Sequence, residues 1–331
     1  MKALVVEKPA TAVVREAARP EPKGSEVLIE VNACGICGTD VHIYRGEYLG
    51  GYPVTPGHEF AGTVVATGPD ARRLTPGDRV AVEPNISCDS CPACLSNRQN
   101  FCERWQAVGV TLPGGMAEFV CAPEKAVFDI GRLPFSAGAF VEPLSCVLHG
   151  MQQAAPRPAD RVLIVGAGPI GILLLKTAIV MGASALTVVD RTQSRLTLAG
   201  AEGGRIVSTL DSIDSVPQDY FDLVIDATGV PAVMEHTTGW ARPGGRVLLF
   251  GVPPSGSRMS IDAFMVFRKG LTLLSSYTSV RNSIQAVRLL ESGQIDISGL
   301  VSHELPLEGF SDGVEMIEQG EAGVMKILMK P

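Results

Sequence analysis

The sequence predicts an α/β protein in which an irregular β domain is followed by a doubly wound parallel sheet. Three observations carry this. Up to about residue 143 the 331-residue chain is a succession of short Val-containing runs broken by Gly and Pro. From Arg161 onward, apolar runs alternate with helical patterns, the texture of βαβ units. The first of those runs leads into Gly166-Ala-Gly168-Pro169-Ile170-Gly171, a glycine turn between strand and helix.

Within the first part, strands are expected at Glu26–Val31, Gly62–Ala66, Asp78–Val82 and Ala117–Ala122. In the second part, Arg161–Val165 reads as a buried strand, Pro169–Gly182 as a helix and Leu186–Asp190 as the next strand. Further strands are expected at Arg205–Ser208, Phe221–Asp226, Arg246–Phe250 and Leu271–Ser275, six in all. The amphipathic stretch Ile284–Leu290 reads as a helix, and the tail, with turn signals at Pro306 and Gly309, as a return to the first domain. The expected division is 1–143, 144–278 and 279–331, without internal repeats.

Apolar residues make up 46% and charged residues 19%, a globular composition. A net charge of −7 with no basic cluster argues against nucleic acid as a partner. The start, Met1 to Pro9, lacks the basic and long apolar regions of a signal peptide. Val162 to Val189 carries Lys176 as its one charge, but glycines at 166, 168, 171 and 182 cut it into strand, turn, helix and strand, so no membrane span is expected. The expected location is cytoplasmic. There, eight cysteines, all before residue 147, read as metal ligands before disulfides.

Four of them form Cys88-x2-Cys91-x2-Cys94-x7-Cys102, a spacing that lets sulfurs converge on zinc from one tight loop. Four thiolates close the coordination sphere, so this zinc is expected to hold structure and do no chemistry. A second, open set is scattered: Cys37, Pro56-Gly-His58-Glu59 and Val141-Glu142-Pro143. One Cys, one His and one carboxylate suit a catalytic zinc with a free position. From spacing alone, however, a histidine after a Pro-Gly turn is more often a loop residue. The glycine turn is the stronger signal, because Asp190 ends the next strand, where a carboxylate accepts ribose hydroxyls and repels a 2′-phosphate. That favours NAD, although Arg191 or Arg195 offers a guanidinium to such a phosphate.

Gly35–Asp40, Gly57-His-Glu59, Pro76-Gly-Asp78 and the four-cysteine segment together resemble the zinc-dependent medium-chain alcohol dehydrogenases. Val141-Glu-Pro-Leu144 is similar to their polyol branch (the sorbitol and galactitol-phosphate type), which has Glu where simple alcohol dehydrogenases have Cys. The resemblance spans essentially the whole chain. It implies a GroES-like catalytic domain with a structural-zinc lobe, a Rossmann domain and two zinc ions per chain. It further implies a catalytic zinc on Cys37, His58 and Glu142, with Glu59 a direct or exchangeable ligand and Asp40 orienting His58. Thr39 and His42 would carry the hydroxyl proton away while the hydride passes to the nicotinamide. Thr228, Gly229, Gly251 and Val252 would line the cofactor beside the glycine turn.

The implied reaction is NAD-linked oxidation of a secondary hydroxyl on a polyol or sugar-derived alcohol by a homodimer or homotetramer. Ile43 stands where sorbitol dehydrogenases carry Tyr, and no Arg adjoins Tyr277, which points away from sorbitol itself. The stretch from Leu198 to Phe221 is shorter than in the family, so the helix before Phe221 is expected to be reduced or absent. Tyr44, Arg45, Glu47 and Tyr48 read either as substrate contacts or as a solvated loop. Cys37-Gly-Thr-Asp-Val-His-Ile-Tyr44 also resembles L-threonine 3-dehydrogenases, the first alternative. A non-catalytic protein binding zinc and a nucleotide is the second.

Overall fold

The strand Glu26–Gly35 is buried at Val27, Leu28, Ile29 and Val31 and again from Ala33 to Gly35, and the first half of the protein is built around it. In the computed structural model, which describes residues 1–47, 51–208 and 213–331, it sits inside a seven-stranded sheet. The main order is Val301–Pro306, Lys326–Lys330, Glu26–Gly35, Glu59–Thr67, Arg79–Val82 and Val127–Asp129. Phe119–Pro123 pairs with the first half of Glu26–Gly35, while Lys326–Lys330 pairs with its last two residues. Val27, Ile29, Phe60, Val64, Val80, Ile327 and Met329 fill the core beneath. Burying each such side chain contributes about 1.5–3 kcal/mol.

The described residues divide into two compact units: Met1–Ser145 with Thr278–Pro331, and Cys146–Tyr277. The second unit holds a six-stranded, all-parallel sheet. Its order is Arg205–Ser208, Ala185–Asp190, Arg161–Val165, Phe221–Asp226, Ala241–Leu249 and Thr272–Ser275. In order of appearance that is 3-2-1-4-5-6, the dinucleotide-binding arrangement, with its switch point between Arg161–Val165 and Phe221–Asp226. Leu163, Val165, Val189, Val224, Val247 and Trp240 pack its core. Lys176, the one charge of that apolar stretch, is buried against Glu202. No helix of the described residues is long and apolar enough to cross a membrane.

Several boundaries differ from those expected. The fifth strand starts at Ala241 and runs through Pro243-Gly-Gly245, because a register shift against Phe221–Leu223 absorbs residues that read as a breaker. The sixth begins at Thr272, and the helix after the glycine turn ends at Val180, ahead of Gly182 at φ +91°. Among the described residues, the connection from Ser208 to Phe221 holds a single 3₁₀ turn, Ile213–Ser215. Residues 209–212 of that connection lie outside the described residues.

Candidate metal and cofactor sites

The four-cysteine segment folds as a lobe around its own sulfurs. Cys91 caps the one-turn helix Pro92–Leu95, so Cys91 and Cys94 lie one turn apart with their sulfurs at 3.5 Å. Cys88 lies 3.9 Å from Cys94, and Cys102 lies 4.0 Å from Cys91. A zinc tetrahedron with bonds of 2.3 Å has edges of about 3.8 Å, so these distances fit the metal. The backbone N–H groups of Cys88 and Arg104 each donate to Cys102 Sγ at 3.3 Å. Burial and the neighbouring sulfurs of Cys91 and Cys102 push Cys94 up to about 11, so a negative charge on Cys94 is disfavoured there unless a cation joins it. All eight cysteines are free thiols.

The second cluster follows from strand register. Gly35 lies opposite Glu59 in the antiparallel pair. The residues just beyond these positions, Cys37 and His58, are thereby brought together although far apart in sequence. The ligating atoms of Cys37, His58 and Glu59 all lie within 4.8 Å of one another. Asp40, fully buried in the first turn of helix Gly38–Arg45, sits behind them. Its Oδ2 accepts from the Cys37 N–H at 2.8 Å and its Oδ1 from the Gly57 N–H at 3.1 Å.

His58 Nδ1 lies 3.5 Å from Asp40 Oδ1, facing the carboxylate and leaving Nε2 as the metal-binding atom. At that length Nδ1 makes no hydrogen bond, an orphaned buried polar atom that a small closure toward Asp40 would satisfy. Burial opposes a charge on His58, but Asp40 and Cys37 outweigh it and lift the imidazole well above its ordinary pKa. The spot favours a cation, and zinc fits the Cys, His and carboxylate donor set.

Glu59 has a second partner that the motifs did not reveal. Lys326 Nζ lies 2.5 Å from Glu59 Oε2 and donates to Ile36 O at 3.2 Å, and both side chains are buried. Gly35 makes room for this carboxylate, since a Cβ there would sit 2.3 Å from Glu59 Oε2. The signal available in the sequence was one lysine inside the apolar run Val324–Met329.

In the other unit the candidate cofactor residues gather at the carboxyl ends of four neighbouring strands. Gly166 adopts φ +103° as the chain leaves Arg161–Val165, a conformation that glycine permits. Gly168 caps helix Pro169–Val180 without a side-chain hydrogen bond, so the first-turn N–H groups remain for pyrophosphate oxygens. Asp190 ends the adjacent strand, its Oδ2 accepting from the Ala167 N–H and its Oδ1 from the Thr192 N–H, each at 2.7 Å. Thr228-Gly229 follows Phe221–Asp226, and Gly251-Val252 follows Ala241–Leu249. The fully buried Asp226, also missed in the sequence, shapes that loop by accepting from the Thr228 hydroxyl at 2.6 Å and the Gly229 N–H at 3.1 Å.

Residues 23–132 match the alcohol dehydrogenase GroES-like domain, and residues 169–292 match the zinc-binding dehydrogenase domain. D-arabinitol dehydrogenase 1 of Uromyces fabae is 32% identical over 100% of this chain and 97% of its own. The chain belongs to the zinc-dependent medium-chain alcohol dehydrogenases. D-altritol 5-dehydrogenase of Agrobacterium fabrum is 36% identical over 89% of this chain and 90% of its own. Among solved structures, a Sinorhizobium meliloti protein described as a zinc-binding dehydrogenase, with NADP bound, superposes with a TM-score of 0.95. It is 34% identical and covers 100% of this chain and 99% of its own. This protein is accordingly a zinc- and nicotinamide-dependent oxidoreductase.

For a zinc alcohol dehydrogenase, the remaining site residues are placed as follows. Glu142 is buried in the first turn of helix Val141–Ala154, but its carboxylate is not one of the atoms that converge with Cys37, His58 and Glu59. Thr39 is half-buried in the first turn of helix Gly38–Arg45, and His42 lies three residues on, on the same face. His42 Nδ1 is 2.9 Å from Glu47 Oε2. Two neighbouring polar side chains have partners elsewhere in the fold. Tyr44 donates to Ala10 O at 3.2 Å with its ring edge-on to Phe310, and Arg45 Nε donates to Glu318 at 2.7 Å. Tyr48 lies outside the described residues.

Proposed function

We propose that this enzyme oxidises a secondary hydroxyl of a polyol or sugar-derived alcohol to the ketone, with NAD as hydride acceptor and two zinc ions of separate roles. The observation that carries the chemistry is the open trio Cys37, His58 and Glu59 backed by Asp40. The substrate class rests on the likeness to dehydrogenases named for D-arabinitol and D-altritol. Glu142, in place of the cysteine of simple alcohol dehydrogenases, supports the same branch.

Cys37, His58, Glu142 and, directly or in exchange, Glu59 would hold the catalytic zinc. When bound, that metal supplies Lewis acidity that lowers the pKa of the substrate hydroxyl. Asp40 fixes the imidazole of His58 and the backbone at Cys37. Thr39 receives the hydroxyl proton and passes it to His42. With Glu47 Oε2 accepting from Nδ1–H, His42 would present Nε2 for the proton. The nicotinamide supplies the hydride acceptor.

NAD is favoured because Asp190, oriented by two backbone N–H groups, places a carboxylate where a 2′-phosphate would sit. We further propose a homo-oligomer, dimer or tetramer, formed at the sheet edge Thr272–Ser275. Helix Ala263–Lys269 beside it buries no residue and exposes Phe264 and Phe267, 70% and 80% accessible. Cysteines used as zinc ligands rather than as disulfide partners favour a reducing cytoplasm.

The test is NADH formation across tetritols, pentitols, hexitols, their phosphates and L-threonine. Turnover of one or more polyols supports the reading. Turnover of threonine alone replaces it with the amino-alcohol alternative, and silence across the panel rejects it.

A further inference from the structure

Glu83 has no place in the mechanism above, yet it is the most heavily hydrogen-bonded buried carboxylate of the first unit. It follows strand Arg79–Val82 and is 8% exposed. Its Oε1 accepts from Asn85 Nδ2 at 2.6 Å. Its Oε2 accepts from three serine hydroxyls: Ser145 at 3.2 Å, Ser279 at 2.6 Å and Ser283 at 2.8 Å. Ser145 and Ser283 are fully buried and Ser279 nearly so. Among the described residues no cation pairs with Glu83; its partners are the three hydroxyls, the Asn85 side-chain amide and, at 3.4 Å, the Asn85 backbone N–H.

The three serines lie at particular points of the chain. Ser145 is in the first turns of helix Val141–Ala154, three residues after Glu142, and is the last residue of the first unit before the chain leaves it. Ser279 is the second residue after the chain returns, and Ser283 begins helix Ser283–Glu291. The single Ser145 hydroxyl proton is shared between two acceptors, the Glu142 carbonyl at 2.7 Å and, as the longer branch, Glu83 Oε2 at 3.2 Å. One carboxylate oxygen therefore ties the backbone turn bearing Glu142 to the returning segment, more than 190 residues from Glu83 in sequence.

We propose that Glu83 is a positioning residue for Glu142: through Ser145 it fixes the helix turn from which Glu142 serves the open zinc site. This rests on the reading of Glu142 as a zinc ligand. Residues behind metal ligands typically set metal affinity by 10–100-fold, because they hold the ligand in its binding geometry. A glutamine at position 83 keeps the volume but replaces one acceptor with a donor facing hydroxyls, and loses the charge that orders them.

The test follows the release of zinc from the holoenzyme to a chromogenic chelator, with the fast, open-site phase resolved from the slow four-cysteine phase. Glu83→Gln, Ser145→Ala, Glu142→Gln and the Glu83→Gln/Glu142→Gln double variant are compared with wild type, and melting temperatures are measured in parallel. The expected result is a fast phase accelerated about tenfold or more in Glu83→Gln, less in Ser145→Ala, with the slow phase unchanged. The double variant should release no faster than Glu142→Gln, because Glu83 acts through that residue. Should Glu83→Gln fail to fold, Ser145→Ala decides by the same criterion. Wild-type release in Glu83→Gln or, failing that, in Ser145→Ala, with fast release in Glu142→Gln, overturns the proposal. So does full additivity in the double variant. Wild-type release in Glu142→Gln instead removes Glu142 from the zinc site, the separate failure of the underlying reading.

Discussion

Lys326 and Glu59 form a buried ion pair, Nζ to Oε2 at 2.5 Å, directly behind the residues proposed to hold the catalytic zinc. Burial disfavours the lysine charge, but Glu59, with Cys37 and Asp40 nearby, outweighs it and raises the lysine pKa. Removing one partner of such a pair strands the other charge, at a cost of about 3–5 kcal/mol. Zinc beside Glu59 offsets part of that cost. Lys326→Met should therefore lower the melting temperature of protein stripped of its open-site zinc far more than that of the two-zinc protein. Calorimetry of both forms checks this, and equal losses would show that Glu59 does not feel the metal.

The four-cysteine lobe should behave as a closed structural site. Cys94→Ser removes one of four sulfurs spaced for a tetrahedron, and a structural zinc contributes folding free energy outright. The variant should bind one zinc fewer and melt lower or aggregate. Metal analysis with thermal melts decides, and a stable, fully active variant would remove zinc from the lobe.

Acid stability of the nucleotide-binding unit should depend on Asp222. Burial would raise its pKa, but the Arg161 backbone N–H and the guanidinium groups of Arg242 and Arg161 outweigh burial and push it down from 3.8 to about 2. A depressed folded pKa contributes stability that is complete above the ordinary value and is lost as pH falls through the folded one. Asp222→Asn should therefore be destabilised at neutral pH and lose less further stability than wild type between pH 4 and 2. Urea melts across that range measure it, and parallel pH profiles would contradict it.

Cofactor choice should turn on Asp190. Its carboxylate is held by Ala167 and Thr192 N–H groups and offers charge-assisted bonds to ribose hydroxyls, each worth about 1.5–3 kcal/mol. Asp190→Ser should weaken NAD use about tenfold or more and improve NADP use, with Arg191 helping to receive the phosphate. Kinetics with both cofactors test this. If wild type already prefers NADP, the cofactor bound in the Sinorhizobium meliloti neighbour, then Arg191 and Arg195 are the readers.

What was legible in the sequence was what is local. Cys88 to Cys102 and Gly166 to Gly171 form their sites within one loop each, so spacing alone carries the geometry. The open trio depends on the register that sets Gly35 against Glu59, which only its family motifs betray. Lys326 and Glu83 were silent because each is a single charge in an apolar run whose partners lie 267 and up to 200 residues away. Tyr44 and Arg45 read either as substrate contacts or as a solvated loop, because their partners Phe310 and Glu318 are more than 260 residues away in sequence. The breaker Pro243-Gly-Gly245 was overridden because the strand pairing on either side tolerates a shifted register.

A zinc that works and a zinc that only holds are told apart most directly by titrating zinc into metal-depleted, folded protein while following NADH formation from a polyol the enzyme accepts. Cys88, Cys91, Cys94 and Cys102 should fill first because four thiolates bind zinc more tightly than a mixed open set. Activity should be absent up to one equivalent per chain and rise to its maximum between one and two. Full turnover at one equivalent, or turnover indifferent to zinc, would contradict this division of roles.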